Sequence, residues 1–297
     1  MIVENTLLFG NGLNQLTNSG PSWNYLLERL KENNTFKHDK LTNTLIYERI
    51  FLEREKPSLK KEIIIKEEVA SMMEEISESN YYQKIINLGF KNYITTNYDY
   101  AFRKTLNQEV LNENTEKVYS IRRNLNFNNL KVWHIHGEIN NPKSIQLGLD
   151  HYAGYISKID SYIKGNYEYQ KDSEPKKVDS IVEKLQNNKY DNVSWIELFF
   201  NTNIHILGLG LDYSEIDLWW ILNKRARLMI DNDINNRIVF YTNKIDEQKR
   251  GLLNSFNVEV ELIDKFNESA LNEKNEKVPD YKLFTIEAIN KIAKFKD

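Results

Sequence analysis

Cysteine is absent from this 297-residue sequence, and proline is scarce at 5 residues. Without cysteine the chain can form neither disulfides nor thiolate metal sites, which excludes disulfide-stabilised folds and four-cysteine zinc modules. No apolar run approaches the roughly 20 residues that cross a bilayer, and the first residues lack the basic and apolar regions of a secretory signal. We therefore expect a cytoplasmic protein with no membrane partner.

The sequence also has no excess of basic residues. The 40 Lys and Arg residues nearly balance 43 Asp and Glu residues, which leaves a net charge of −3. Nucleic-acid-binding proteins usually carry a basic excess or a dense basic stripe, so direct nucleic-acid binding is not expected. The composition is 40% hydrophobic and 28% charged. These fractions are typical of a globular protein with a sizeable core.

About six short apolar runs alternate with helical patterns along the chain. They cover residues 6–9, 93–95, 131–135, 203–207, 237–241 and 258–263. Strands that alternate with helices predict an α/β, Rossmann-like fold with a mainly parallel sheet flanked by helices. No linker divides the sequence, so we interpret residues 1–297 as a single domain with helical insertions at roughly 35–90 and 151–198. Residues 265–280 are predicted to be a polar loop.

Local patterns around the helices give further predictions. Ser22 is expected to be the N-cap of a helix that begins near Trp23. Ser214 and Asp217 have the spacing of a capping box for a later helix. Trp219 in that helix fits the core better than a ligand-stacking role. The insertion at 151–198 is either a solvated helical cap or a contact surface for a partner.

Small and polar residues recur where the predicted strands end. In an open parallel sheet, ligands bind beyond the carboxyl ends of the strands, so these residues are site candidates. They are Gly10, Asn11, Gly12, Leu13 and Asn14 after the first strand, Thr96, Asn97 and Asp99 after the second, His136 and Gly137 after the third, Gly208 and Gly210 after the fourth, and Thr242 and Asn243 after the fifth.

Each of these motifs also has a simpler interpretation. The glycine turn lets backbone N–H groups approach a phosphate, but Gln15 breaks the full dinucleotide fingerprint, so it can equally be a plain turn. Asn97 or Asp99 can contact a ligand or cap the helix that follows. His134 and His136 share one face of a strand, but a third zinc ligand at fitting spacing is not evident. His136, at the strand end, is the candidate catalyst, and His134 is more consistent with a structural role.

Four motifs in order carry a family resemblance. They are FGNGLN at 9–14 followed by GPSW at 20–23, TTNYD at 95–99, HIHG at 134–137, and LGLGL at 207–211. Together they resemble the sirtuin-like NAD-binding superfamily, in particular its bacterial antiviral branch, which degrades NAD during phage infection. The motifs extend from residue 6 to about residue 225, and the ordered set is more specific than any one of them.

The resemblance implies that NAD+ is the substrate and that no metal is needed. It implies that Asn97 and Asp99 contact the nicotinamide-side ribose and amide, that His136 is the catalytic histidine, and that Asn243 contacts the adenosine ribose. The cofactor-binding residues are then Gly10, Asn11, Gly12, Leu13, Asn14, Thr96, Gly208, Gly210 and Asn243, with the glycine turn holding the pyrophosphate.

The sequence departs from the sirtuin pattern in ways that bear on the reaction. The cysteine zinc module that helps to frame an acyl-lysine channel is missing, which favours water as the acceptor. Asn11 replaces the usual alanine, and Gly210 replaces a frequent serine. We expect an NAD+ glycohydrolase that releases nicotinamide and ADP-ribose in abortive-infection defence. The alternative is a catalytically silent NAD- or ADP-ribose-binding module, or a subunit that is active only with a partner.

Side-chain chemistry suggests roles for the three candidate catalytic residues. Asn97 suits the positioning of ribose hydroxyls or water, and His136 suits a general base. Asp99 can hold the amide or supply negative charge. The expected partners are a second copy of the chain, a defence protein such as an ATPase, a nuclease-like protein or a sensor, or both.

Overall fold

Strands and helices alternate along the chain, as the sequence predicts. The computed structural model describes residues 3–17, 20–31, 36–37, 40–54, 56–114, 119–171, 173–271 and 277–295. The strands in these ranges are β1 (Asn5–Phe9), β2 (Asn92–Thr95), β3 (Asn112–Asn114), β4 (Asn124–Asn126), β5 (Lys131–His134), β6 (Glu168–Lys171), β7 (Glu174–Lys177), β8 (Asn203–Leu207), β9 (Ile238–Thr242), β10 (Val258–Leu262), β11 (Phe266–Leu271) and β12 (Lys277–Pro279).

The helices lie mostly between these strands. They are α1 (Gly12–Gln15), α2 (Trp23–Leu30), α3 (Asn43–Leu52), α4 (Leu59–Glu74), α5 (Asn80–Ile86), α6 (Ala101–Leu106), α7 (Leu149–Ile163), α8 (Ile181–Gln186), α9 (Trp195–Asn201), α10 (Ile216–Leu228), α11 (Glu247–Ser255) and α12 (Tyr281–Lys294), with a 3-10 turn at Pro142–Ser144. In the described part of the chain, no helix combines the length and the apolar character needed to cross a membrane.

One eight-stranded sheet organises the molecule, in the order β10-β9-β8-β1-β2-β5-β4-β3. The six strands from β10 to β5 are parallel, and β4 and β3 extend the sheet antiparallel at one edge. These six parallel strands are the six predicted ones. The Rossmann-like α/β prediction is therefore confirmed.

Alternate residues of the central strands pack into two separate hydrophobic cores, one on each face of the sheet. Leu7 and Phe9 of β1 pack on one face with α2 to α6 and α12. Leu8, between them, packs on the other face with α7 to α11. Successive side chains of a strand point to opposite faces, so a strand covered on both sides is mostly apolar along its length. The short apolar runs in the sequence have this origin.

Several local predictions are confirmed. Ser22 is the N-cap of α2, and its Oγ accepts a hydrogen bond from Tyr25 N. The predicted insertion at 35–90 contains α3, α4 and α5, which all lie on the same face of the sheet.

Other local predictions are wrong. The segment 151–198 contains most of α7, all of α8 and part of α9, but also the antiparallel hairpin of β6 and β7. Tyr167 and Tyr169 are buried with an exposed residue between them, a two-residue period that the helical prediction missed. The predicted loop at 265–280 contains the antiparallel pair β11 and β12. The antiparallel strands β3 and β4 were not predicted.

The predicted capping box at Ser214 and Asp217 is also wrong. Helix α10 has Glu215 as its N-cap, with no side-chain capping bond. Ser214 Oγ instead donates to Asp212 Oδ1 at 2.6 Å. Trp219 packs against the core only in part, because its ring stacks on the exposed Tyr213 at 5.5 Å between centroids.

Candidate active site

A cleft of about 850 Å³ opens at the carboxyl ends of β1, β2, β5, β8 and β9. The sequence-predicted residues that line it are Asn11, Gly12, Thr96, Asn97, Asp99, His136, Gly208, Gly210, Thr242 and Asn243. The edge of the sheet therefore brings together residues that lie more than 200 positions apart. A larger cavity of about 1070 Å³ lies near the opposite ends of the strands, beside Lys91 and Lys131, and contains none of the predicted residues.

Gly10, Leu13 and Asn14 are not among the residues that line the cleft. Leu13 is fully buried in the core. Asn14 is buried behind the cleft, where its Nδ2 donates to Asp99 Oδ2 at 2.9 Å and its Oδ1 accepts a hydrogen bond from Tyr82. The prediction that Leu13 and Asn14 face the ligand is therefore not supported by their positions.

The glycine turn after β1 packs tightly against the loop after β8. Gly12 N donates to Gly208 O at 2.8 Å, and Gly10 N donates to Leu207 O at 3.3 Å. Leu13 N donates to Gly10 O. These three N–H groups are engaged within the protein, and the contact of this turn with a pyrophosphate stays a prediction. Asn11 secures the same turn through a 2.6 Å bond to Pro21 O.

Asn97 follows β2 and presents an unused acceptor. Its backbone N donates to Thr95 Oγ1 at 3.0 Å, and its Nδ2 donates to Tyr82 at 3.4 Å. Only 6% of Asn97 is exposed, and its Oδ1 finds no hydrogen-bond partner in the part of the chain that the structure describes. A buried acceptor without a partner costs free energy, which makes this oxygen a natural contact for a ligand donor.

Asp99 has both carboxylate oxygens engaged. Oδ2 accepts from Asn14, and Oδ1 accepts from Ala101 N at 2.8 Å, at the start of α6. Burial raises the pKa of Asp99, and the hydrogen bonds from Ala101 and Asn14 oppose that shift. The N-cap of α6 is Tyr100, so the prediction that Asn97 or Asp99 caps this helix is wrong, although Asp99 accepts a hydrogen bond from its first residue and also lies on the cleft wall.

His136 is fixed by two partners at the end of β5. Its Nε2 lies 2.9 Å from Asp217 Oδ2, and its Nδ1 lies 3.4 Å from the Tyr152 hydroxyl. Gly137 allows the sharp turn that follows, since its φ is +109° and a Cβ there would lie 2.4 Å from Ser144 O. Burial lowers the pKa of His136, but the nearby carboxylate of Asp217 more than compensates, so the pKa is raised.

His134 lies inside the sheet and makes structural contacts. Its Nδ1 is 3.1 Å from Asn97 O, and its ring packs edge-on against Tyr100. Burial lowers the pKa of His134, which favours the neutral ring. Within the described residues, no group of three or more His, Asp or Glu side chains is placed to hold a metal ion.

Two acidic residues at the start of α10 were missed by the sequence predictions. Asp217, which is fully buried, is the partner of His136. Glu215 lines the cleft and is 8% exposed, and its Oε2 has no hydrogen-bond partner among the residues described. Burial raises the pKa of Glu215 to about 7, with further contributions from Asp217 and Asp212. The Ser-x-x-Asp spacing predicts a helix cap, and for that reason the sequence analysis assigned neither residue to the site.

The far end of the cleft is formed by the residues after β9 and by α11. Asn243 Nδ2 is a buried donor with no partner in the described chain. Lys249 holds the loop after β8, because its Nζ donates to Gly210 O and Leu211 O, each at 2.7 Å. Tyr281, Phe284 and Thr285 of α12 complete this wall.

Comparison with known proteins identifies the family. Residues 91–260 match the family model of the SIR2-like domain, which covers the chain from β2 into β10 and leaves out the glycine turn. A search of curated proteins finds no match. The match takes in Asn97, His136 and the loop after β8, and it extends over more than half of the chain. The chain therefore belongs to the family of SIR2-like domains, which use NAD+.

Proposed function

We propose that this protein is an NAD+ glycohydrolase that cleaves the nicotinamide–ribose bond with water as the acceptor. One observation carries the proposal. Asn97 and His136, which follow different strands, line the same cleft, and Asn97 Oδ1 has no protein partner in the described chain. A SIR2-like chain that lacks cysteine cannot form the zinc module of a deacylase, so water is the simplest acceptor.

The cleft has the properties that a dinucleotide requires. Its volume of about 850 Å³ lies within the range of roughly 300–1,000 Å³ that is usual for ligand pockets. Its buried polar groups without partners include an acceptor, Asn97 Oδ1, and a donor, Asn243 Nδ2. These groups come from opposite sides of the sheet centre, so one elongated ligand can satisfy both. Lys244 and Lys249 also line the cleft and can offset the charge of a diphosphate.

Cleavage of the nicotinamide–ribose bond needs little general acid catalysis. Departure of nicotinamide neutralises its pyridinium ring, so the leaving group needs no proton, whereas positive charge develops on the ribose carbon. The protein must orient the ribose, stabilise that charge and place a water molecule. Asn97 Oδ1 can accept from a ribose hydroxyl or from the water. The carboxylates of Asp99 and Glu215 supply negative charge along the same wall.

The test compares NAD+ turnover in four proteins. Purified wild type, Asn97→Ala and His136→Ala are incubated with NAD+, and free nicotinamide is followed by chromatography. We expect each substitution to reduce turnover by about 100-fold or more, in the range usual for catalytic side chains. Glu247→Gln, on the exposed first turn of α11, is the control and is expected to match wild type. Equal turnover in all proteins would refute the proposal.

A second candidate function is NAD+ or ADP-ribose binding without cleavage. The observation in its favour is that both oxygens of Asp99 and both ring nitrogens of His136 already have protein partners. Calorimetric titration that shows NAD+ binding while no nicotinamide is released, with or without a genomically neighbouring protein, would select this function.

We further propose that the glycohydrolase acts in anti-phage defence, as a homo-oligomer, with a partner protein, or both. The proposal is supported by the resemblance of the ordered motifs to the antiviral branch of the superfamily. Cells that express the wild-type chain with its neighbouring genes should lose NAD+ on phage infection. Cells that express Asn97→Ala should retain it. Equal NAD+ levels in the two would contradict the proposed role.

A further inference from the structure

The reaction needs a base that faces the substrate, and His136 is not free to act as one. Attack by water requires that the water lose a proton as its oxygen bonds to the ribose carbon. Asp217 Oδ2 lies 2.9 Å from Nε2 of His136, and the Tyr152 hydroxyl lies 3.4 Å from Nδ1. In either neutral tautomer one nitrogen donates to its partner and the other is directed at a second protein group. The single ring lone pair of either neutral tautomer is therefore directed at a protein group, and none is left for a water molecule in the cleft.

Glu215 has the property that His136 lacks. Its carboxylate forms part of the cleft wall, and it is more than nine-tenths buried. Its Oε2 has no hydrogen-bond partner in the described ranges. A buried carboxylate oxygen without a partner is costly unless it serves a ligand, because burial removes its water without replacing it. Glu215 also precedes the first residue of α10, so a rigid helix fixes its position.

We propose that Glu215 is the catalytic base that takes the proton of the attacking water, a role that rests on the proposed glycohydrolase function. His136 and Asp217 then act as a positioning pair that shapes the wall beside the reacting carbon.

The step balances without any further reactant. The water oxygen forms a bond to the ribose carbon while the bond from that carbon to the nicotinamide nitrogen breaks. The electron pair of the broken bond leaves with nicotinamide, which departs neutral. One proton passes from the water to the Glu215 carboxylate and then to solvent. NAD+ and water thus give nicotinamide, ADP-ribose and a proton.

The surroundings of Glu215 suit a base that works near neutral pH. The charged groups that act on it are His136 at the end of β5, Asp217 on α10, Asp212 in the preceding loop and Lys249 on α11. The titratable hydroxyls of Tyr98 and Tyr152 also lie near its carboxylate. Burial raises the pKa of Glu215 to about 7, the two aspartates add to the rise, and His136 and Lys249 oppose it. A base is most effective when its pKa lies near the working pH.

Three proteins test the proposal: Glu215→Gln, Glu215→Ala and the control Glu247→Gln. Glu215→Gln should bind NAD+ within about threefold of wild type by calorimetry, but release nicotinamide about 100-fold or more slowly. In wild type, kcat/KM should fall as the pH drops below about 7, because protonated Glu215 cannot accept a proton. Glu215→Gln should lose this acidic limb, and Glu247→Gln should retain it.

Azide distinguishes a base from a merely structural carboxylate. Azide attacks without losing a proton, so it should restore nicotinamide release in Glu215→Ala and give ADP-ribosyl azide, which mass spectrometry detects. Release by Glu215→Gln within threefold of wild type would overturn the base assignment alone. Slow release that azide does not restore would do the same. A wild-type chain that binds NAD+ but releases no nicotinamide would overturn the proposed function, and the base assignment with it.

Discussion

At the scale of single residues, the site depends on how buried polar groups are paired. His136, Asp217 and Tyr152 form a buried chain of contacts, while Asn97 and Glu215 each have a side-chain oxygen on the cleft wall that lacks a hydrogen-bond partner in the described chain. Paired groups keep a fixed geometry, and an unpaired buried group gains most from a new partner. We therefore expect the paired residues to fix the geometry of the site and the unpaired oxygens to contact the substrate.

The His136–Asp217 pair gives a prediction about stability and pH. The pKa of His136 is raised in the folded protein, so the pair stabilises the fold most below the unfolded value near 6.5. That stabilisation is lost as the pH rises through the folded pKa. Asp217→Asn should therefore lower the free energy of unfolding by about 1.5–3 kcal/mol at pH 6, and by less at pH 9.

Urea denaturation at the two pH values measures this difference. Asp231→Asn, on an exposed turn after α10, is the control and should change stability little at either pH. A loss for Asp217→Asn that is equal at pH 6 and pH 9 would show that charge on His136 is not what the carboxylate stabilises.

At the scale of elements, the site depends on a close contact between two loops. Gly12, after β1, lies so close to the loop after β8 that a Cβ on it would be 2.7 Å from Gly208 O and 3.0 Å from Gly208 Cα. Gly208 itself has a φ of +65°, a conformation that favours glycine. Gly210, two residues later, has open space around the position of a Cβ. Gly12 and Gly208 thus allow the ends of β1 and β8 to approach closely.

Gly12→Ala and Gly210→Ala form a matched pair. Gly12→Ala must push two backbone segments apart and weaken the Gly12–Gly208 hydrogen bond, so it should cost about 1–3 kcal/mol of unfolding free energy. Gly210→Ala should change that free energy by less than about 0.5 kcal/mol. Thermal unfolding of both variants measures the contrast. Similar melting temperatures would mean that the loops separate without cost.

The sequence predicted those elements whose pattern reflects burial. Central strands such as β1 and β8 are mostly apolar because both faces are covered, and that pattern is visible in a single sequence. The edge strand β3 has the sequence Asn-Glu-Asn, which carries no such signal. Glu215 and Asp217 were missed for a different reason. Their role comes from the β5 loop packing against the start of α10, and no local pattern records a contact between positions 136 and 217.

At the scale of the whole molecule, the amino-terminal strand joins the two halves of the sheet. β1 lies between β8 and β2, with Leu8 opposite both Ile94 and Ile206. The matched segment, residues 91–260, contains every other strand of the parallel sheet except the last residues of β10. It lacks β1, and it lacks the helices α2 to α5 and α12 that cover one face. The family match is therefore shorter than the unit that buries the core.

This topology predicts that residues 91–260 do not fold when expressed alone. Without β1, the inner edges of β2 and β8 have no partner, and α6 is the one described helix left to cover the apolar face that contains Tyr93, Val132 and Leu207. Unpaired apolar strand edges favour aggregation. The fragment should lack a cooperative unfolding transition in calorimetry. The full chain should show one transition with equal calorimetric and van't Hoff enthalpies, as expected of a single domain. A fragment that unfolds cooperatively would instead make 91–260 an independent domain, and the interpretation of residues 1–297 as one unit would be wrong.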